Sequence, residues 1–124
     1  METRTVLIVD DESQSRELLG RHFRGSGWEV MTAIDGRDAL RQIKGIRPHI
    51  IVLDMNMPEM DGFEVARALK NSPEFQAIPI LAATGLSDRG VRERCLAAGC
   101  DDYVAKPFTV EQLQKRLLAL LQAT

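Results

Sequence analysis

The segment that most constrains the fold is residues 50–53, four large aliphatic side chains in a row, followed directly by Asp54. An uninterrupted apolar run of this length is typical of a strand covered on both faces, as in a parallel sheet flanked by helices. In open α/β sheets, ligands bind in the crevice beyond the carboxyl ends of the strands. Asp54 is therefore our candidate for the reacting residue.

Further strands and helices are predicted along the whole chain. Strands are expected at residues 5–9, 28–32, 78–83 and 102–105, in addition to the central run. Five helices alternate with these strands. The first follows a cap at Ser13 or Ser15 and ends at 25–27, the second spans 36–44, and the third starts at 60–62 and ends at 71–73. The fourth runs from a cap at Ser87 or Asp88 to residue 98, and the last begins at about 109.

This alternation predicts right-handed crossovers and an α/β three-layer sandwich. We expect the flavodoxin-like (βα)5 fold, with a parallel five-stranded sheet in the order 2-1-3-4-5. No linker or repeat interrupts the pattern, so residues 1–124 are expected to form one domain. In this strand order the first and third strands are neighbours, which would bring Asp10, Asp11 and Asp54 together.

Helical periodicity predicts which side chains face inward. The first helix should bury Leu18, Leu19, His22 and Phe23, with His22 as a packed, hydrogen-bonded core residue. The third should bury Phe63, Ala66 and Leu69. The last should bury Val110, Leu113, Leu117, Leu120 and Leu121, with Leu118 off that stripe. Cys95 and Cys100 match no zinc pattern and are expected to be small apolar core residues.

Composition excludes some classes of function. With 16 basic and 18 acidic side chains the formal net charge is −2, which gives no electrostatic case for direct nucleic-acid binding. The longest aliphatic run, at residues 117–121, is far short of the roughly 20 residues that a membrane span needs. No signal peptide is recognisable before the first predicted strand, so we expect a cytoplasmic protein with no membrane partner.

The predicted acid cluster has a specific chemistry. Two like charges about 4 Å apart repel by about 4 kcal/mol at an effective dielectric of about 20, so three carboxylates call for a cation. Oxygen-only ligands favour a hard ion such as Mg²⁺. Lys106 after the fifth strand would add a positive charge, and Thr84 at the end of the fourth would add a hydroxyl donor. A cation, a lysine and a hydroxyl around a carboxylate nucleophile are suited to phosphoryl transfer onto Asp54.

Several motifs together resemble the receiver domain of two-component response regulators. They are Asp10-Asp11, the segment DMNMPEMDG at 54–62, Thr84-Gly85 and the segment AGCDDYVAKP at 98–107. The similarity extends through nearly the whole chain. Each motif alone is weak, but their combination in this order is specific.

The resemblance implies roles for individual residues. Asp54 matches the phosphoacceptor. Asp10 and Asp11 match the metal-binding pair, and Asn56 matches the position whose backbone carbonyl also binds Mg²⁺. Thr84 and Lys106 match the residues that stabilise the phosphoryl group, Thr84 and Tyr103 match the switch pair, and Pro107 matches a proline usually preceded by a cis bond. Leu86 and Asn56 would flank the phosphate and tune its hydrolysis.

The resemblance also implies partners. The phosphoryl donor would be a sensor histidine kinase or a phosphotransfer protein, and the surface of the fourth helix, fifth strand and fifth helix would change shape after transfer. That surface would contact a downstream protein, an effector domain if the chain is part of a longer regulator, or a second copy in a homodimer. Arg89, Arg92 and Arg94 on the fourth helix would favour an acidic partner or simply form a solvated face.

Other classes of function remain as alternatives. An aspartate-nucleophile phosphatase would also use a carboxylate at a strand end, but it generally needs a second acid where this chain has Asn56. A flavin-binding electron carrier could share the fold, although three acids would repel the flavin phosphate. An inert receiver-like scaffold is the third alternative. The receiver interpretation makes the chain a signalling domain that catalyses its own phosphorylation and dephosphorylation, and not an enzyme that acts on a separate substrate.

Overall fold

The computed structural model describes residues 3–58, 60–85 and 90–122. Strands and helices alternate along this part of the chain. The strands are β1 Thr5–Val9, β2 Glu29–Ala33, β3 Ile50–Asp54, β4 Ile80–Thr84 and β5 Asp102–Ala105. The helices are α1 Ser13–Gly25, α2 Gly36–Gly45, α3 Gly62–Lys70, α4 Val91–Ala98 and α5 Val110–Gln122.

The strands form one parallel sheet in the order β2-β1-β3-β4-β5, which confirms the predicted flavodoxin-like fold. In the centre of the sheet, Val9 of β1 lies opposite Leu53 of β3, and Asp54 of β3 lies opposite Ala83 of β4. These pairs align the carboxyl ends of the three central strands. Residues that follow those ends therefore meet at one edge of the sheet.

Two apolar clusters cover the two faces of the sheet. Alternate β3 side chains point into them, with Ile51 and Leu53 in the cluster beneath α2, α3 and α4, and Ile50 and Val52 in the cluster beneath α1 and α5. All β3 residues are buried, as expected for a central parallel strand. Cys95 and Cys100 are buried free thiols in the first of these clusters, which agrees with the prediction of apolar core residues.

The predicted start and inward face of α1 are partly wrong. Neither Ser13 nor Ser15 caps the helix, because Ser13 is already its first residue and Glu12 is the N-cap, without a side-chain hydrogen bond. Leu18 is 63% exposed, whereas Leu19 and Phe23 are buried. Leu18 lies about 100° around the helix from Leu19, outside the narrow stripe that Leu19 and Phe23 bury.

His22 and the α5 stripe follow the prediction more closely. His22 is half-buried and its Nε2 lies 2.7 Å from Gln114 Oε1, so the side chain joins α1 to α5. Leu113 and Leu117 are fully buried. The other predicted stripe residues, Val110, Leu120 and Leu121, pack against the same cluster. Leu118 is half-buried.

The other helices differ from prediction in detail. In α3 the buried residues are Gly62, Val65, Ala66 and Leu69, while Phe63 is half-buried and packs against the same apolar cluster. The helix starts at Gly62, and spacings of three and four from that residue reach Val65 and not Phe63. Ser87 and Asp88, the predicted caps of α4, lie outside the described residues, as does Arg89.

α4 ends in a Schellman motif. The Gly99 N–H donates to the Leu96 carbonyl, the Cys100 N–H donates to the Cys95 carbonyl, and Gly99 has φ +112°. Within the described residues, no helix has the length and apolar character needed to cross a membrane.

Candidate functional site

Three carboxylates converge at the carboxyl edge of the sheet. Asp54 is the last residue of β3, and Asp10 and Asp11 follow β1. One carboxylate oxygen from each residue lies within 4.8 Å of the others. Asp10 and Asp54 are only 5% and 3% exposed, whereas Asp11 is open to solvent. The strand order therefore brings together the acids that the sequence singled out.

Backbone groups orient the two buried carboxylates. The Glu12 N–H donates to Asp10 Oδ1 at 2.9 Å, and the Asn56 N–H donates to Asp54 Oδ1 at 3.0 Å. Arg16 Nη1 donates to the Asp10 carbonyl at 2.8 Å, which fixes the main chain at the end of β1. These hydrogen bonds hold both side chains in place without a ligand, as a preorganised site requires.

Lys106 approaches the cluster from the other side. Its Nζ lies 3.2 Å from Asp54 Oδ1, and its side chain is half-buried. The Lys106 N–H donates to the Thr84 carbonyl at 2.8 Å, and the Lys106–Pro107 peptide bond is cis. These contacts carry the chain out of β5 while the lysine points back toward β3.

The surroundings of Asp10 disfavour its ionised form. Burial raises the pKa of Asp10, the hydrogen bond from the Glu12 N–H lowers it, and the Asp54 carboxylate raises it again, so that it lies above the ordinary value of 3.8. Burial and a neighbouring carboxylate both disfavour the ionised form. The carboxylate oxygens lie close together, and Lys106 compensates only part of their charge. Such a group of oxygen ligands fits a hard divalent cation better than a soft metal.

Thr84 and Asn56 link β4 to the loop after β3. Thr84 is fully buried, and its Oγ1 donates to Asn56 Oδ1 at 3.3 Å. The Gly85 N–H donates to the same Asn56 oxygen at 3.1 Å. Sequence reasoning placed Thr84 near Asp54 but did not foresee this amide contact. Leu86, which was expected to flank the phosphate, lies outside the described residues.

Tyr103, Arg92 and Arg94 of the predicted output surface lie within the described residues. Tyr103 lies in β5, is half-buried, and packs against the cluster beneath α4. Arg92 and Arg94 are exposed on α4, and the Arg94 guanidinium lies 5.6 Å from the centre of the Phe63 ring. This stacking favours the solvated-face interpretation for Arg94, because the cation already has an aromatic contact.

A cavity beside the acids was missed by sequence reasoning. It has a volume of about 310 Å³ and is bordered by Asp10, Asp54 and Lys106. Much of its wall is apolar and comes from the start of α1 and the segment after β5, including Leu18, Phe108 and Val110. Leu18, which is 63% exposed, borders this cavity and is not part of the core.

Comparison with known proteins gives a consistent result. Residues 6–118 match the family model of the response regulator receiver domain. The response regulator MprA of Mycolicibacterium vanbaalenii is 43% identical over 119 residues, which cover 96% of this chain and 51% of MprA. The transcriptional regulatory protein PrrA of Mycobacterium leprae is 45% identical over 117 residues, which cover 94% of this chain and 49% of PrrA. The chain thus spans about half the length of these curated relatives.

Solved structures agree with the fold and the family. The chemotaxis protein CheY4 of Vibrio cholerae superposes with a TM-score of 0.90 at 34% identity, covering 95% of this chain and 98% of CheY4. A putative response regulator from Chloroflexus aurantiacus gives a TM-score of 0.91 at 34% identity, covering 98% of this chain and 99% of that protein.

Proposed function

This chain belongs to the response regulator receiver domain family, and we propose that it accepts a phosphoryl group on Asp54. The observation that carries the proposal is the convergence of Asp10, Asp11 and Asp54, with Lys106 Nζ 3.2 Å from the Asp54 carboxylate. The proposed donor is the phosphohistidine of a sensor histidine kinase or phosphotransfer protein. The proposed unit is the whole of residues 1–124.

Mg²⁺ is the proposed cofactor. Asp10, Asp11 and Asp54 would hold it, together with the backbone carbonyl of Asn56 that the family resemblance implies. The residues present fit this ion, because they offer only oxygen atoms and because burial and the Asp54 carboxylate raise the pKa of Asp10. When bound, the ion would neutralise charge on the phosphoryl oxygens.

The chain's own residues would perform the transfer. One Asp54 carboxylate oxygen attacks phosphorus in line, so that the new P–O bond forms as the P–N bond to the donor histidine breaks. Lys106 is positioned to stabilise the transferred oxygens, since its ammonium already lies beside Asp54. The Thr84 hydroxyl, at the end of the neighbouring strand, would donate a hydrogen bond to the product.

Phosphorylation of Asp54 would change a surface away from the acid cluster. An aspartyl phosphate adds roughly −1.5 to −2 of charge and strong acceptor oxygens to the crevice. Thr84 would move toward it, Tyr103 would follow, and the α4-β5-α5 surface would change its preferred partner. That partner would be a downstream protein, an effector domain or a second copy of the chain. No direct contact with nucleic acid or membrane is proposed for this domain, and the cytoplasmic location stays a prediction.

Intact-mass measurement after incubation with acetyl phosphate and Mg²⁺ tests the proposal. The unmodified chain should gain the mass of one phosphoryl group, and Asp54→Ala should gain none. Asp61→Asn is a matched control, because Asp61 caps α3 outside the acid cluster and asparagine can also cap a helix. It should gain the mass as the unmodified chain does. A gain in Asp54→Ala would place the acceptor elsewhere, and no gain in any variant would favour the inert scaffold.

A further inference from the structure

The Asn56 side chain makes contacts that its proposed metal-binding role does not require. Its backbone N–H donates to Asp54 Oδ1 at 3.0 Å, which keeps residue 56 beside the acid. Its side-chain oxygen accepts two further hydrogen bonds, from Thr84 Oγ1 at 3.3 Å and from the Gly85 N–H at 3.1 Å. One exposed residue thus links the loop after β3 to the end of β4.

The two donors that meet the Asn56 oxygen are placed to meet a phosphoryl oxygen as well. Thr84 and Gly85 directly follow Ala83, which lies opposite Asp54 in the sheet. A hydroxyl and a backbone N–H at this position match the acceptor oxygens that an aspartyl phosphate would bring. The amide oxygen of Asn56 is neutral, whereas a phosphoryl oxygen is charged and forms the stronger hydrogen bond.

We propose that Asn56 is a positioning residue that competes with the phosphoryl group for Thr84 and Gly85. This inference rests on the proposed function and adds a regulatory step to it. The amide oxygen holds both donors until a charged oxygen displaces it, so phosphorylation must break two existing hydrogen bonds to form its own. Asn56 therefore weakens phosphoryl binding and biases Thr84 toward its position before transfer.

Truncating this side chain is a clean test. Asn56 is exposed, so Asn56→Ala leaves no buried cavity, and its backbone N–H remains available to Asp54. The probe is beryllium trifluoride with Mg²⁺, which binds a carboxylate as a phosphoryl mimic, with affinity measured by calorimetry. Asn56→Ala should bind the probe about five-fold more tightly than the unmodified chain, the factor that corresponds to one net hydrogen bond.

A double-mutant cycle assigns the effect to Thr84. In a Thr84→Val background the hydroxyl is gone, so the gain from Asn56→Ala should shrink to the part carried by Gly85. Asn56→Asp keeps the acceptor and adds a charge, so it should bind the probe more weakly than the unmodified chain. Asn71→Ala, at an exposed asparagine that caps the far end of α3, should leave the affinity unchanged.

The position of Thr84 gives a second readout that does not depend on affinity. In the NMR spectrum of Asn56→Ala without the probe, the Thr84 methyl signal should shift toward its position in the probe-bound unmodified chain. An affinity that is unchanged or lowered in Asn56→Ala, or a full gain that persists with Thr84→Val, would overturn the inference. Failure of the unmodified chain to bind the probe would instead overturn the proposed function.

Discussion

Charged side chains at the two ends of β4 have different surroundings. At the amino end, Lys70 Nζ donates to the carbonyls of Gln76 and Ile78 at 3.0 and 3.3 Å and lies 3.4 Å from Asp101 Oδ2. Asp101 Oδ2 also accepts the Ile80 N–H at 2.8 Å. Lys70 and Asp101 each meet partners of opposite polarity within the chain.

At the carboxyl end the acids face one another, and Lys106 compensates only part of their charge. Asp10, Asp11 and Asp54 converge, and the pKa of Asp10 is raised by burial and by the Asp54 carboxylate. The difference shows that one end of the sheet is built for stability, while the other keeps a repulsion that a ligand can relieve. Changes at the amino end should therefore alter the free energy of unfolding, and changes at the carboxyl end should alter the response to Mg²⁺.

The largest effect is expected for Gly99→Val at the amino end. Gly99 has φ +112°, and a Cβ there would lie 2.2 Å from Lys70 Cγ. Backbone strain together with displacement of Lys70 should lower the free energy of unfolding by about 3 kcal/mol, as urea denaturation would measure. Gly45→Ala is the control, because a Cβ at Gly45 meets nothing within 4 Å, and it should be neutral or slightly stabilising. Equal losses in both variants would remove the special role of Gly99.

Lys70→Met should have a smaller effect of the same kind. The methionine keeps much of the chain that packs over Gly99 but removes the ammonium from two carbonyls and from Asp101. We expect a loss of about 1–2 kcal/mol, because the partners are only partly buried and water can replace some of the contacts. Denaturation with and without Mg²⁺ should show the same stabilisation by the ion as in the unmodified chain. A reduced Mg²⁺ response would mean that the two ends are coupled.

Asp10→Asn should act in the opposite direction at the carboxyl end. Because the folded chain holds the pKa of Asp10 above 3.8, folding binds its proton more tightly, and this group's contribution to stability falls as pH rises from about 3.8 through the raised pKa. Without divalent ions at neutral pH, the variant should therefore be more stable than the unmodified chain. The advantage should disappear below pH 3.8. Thermal melts across pH would measure it, and an advantage that is greatest at acidic pH would contradict the sign.

The same variant should lose much of its response to Mg²⁺. Millimolar Mg²⁺ should raise the Tm of the unmodified chain through preferential binding to the folded state. Asp10→Asn offers one charge fewer to the ion, and its Tm should move less. An equal rise in Tm would place the ion away from Asp10.

The smallest effect concerns the thiols near the amino end. Burial raises the pKa of Cys100 to about 12, with Cys95 and Asp101 adding to the rise, and burial also raises the pKa of Cys95. Because the thiolate is the reactive form, both cysteines should resist iodoacetamide in the folded chain at neutral pH. Mass spectrometry should show alkylation only after denaturation. Rapid labelling of the folded chain would show that this end is open.

Most of the fold could be predicted from the sequence because the strands are short and apolar, and because acids mark the ends of β1 and β3. The run at 50–53 required a strand covered on both faces, and the helical segments between strands required crossovers. The order of the strands then placed Asp10 and Asp54 side by side without any knowledge of the loops. Lys106 followed from the same reasoning, since it comes directly after the last strand.

The predictions that were wrong or missing concern the rotation of helices about their axes and the conformation of loops. Ser13 or Ser15 was expected to cap α1, but the helix starts at Ser13 and its N-cap is Glu12. Leu18 was expected in the core but is 63% exposed, because the buried stripe of α1 is narrower than periodicity alone suggests. The contact between Asn56 and Gly85 joins two loops whose conformations no periodicity describes, so only coordinates could reveal it.

Chemical trapping of the acyl phosphate tests the central claim most directly. After incubation with acetyl phosphate and Mg²⁺, borohydride would reduce an aspartyl phosphate to homoserine, and peptide mapping would identify the residue converted. We predict conversion at position 54 in the unmodified chain and none in Asp54→Asn. Conversion at Asp11, Asp61 or another acid, with position 54 intact, would contradict the claim that the carboxyl edge of the sheet directs phosphorus to Asp54.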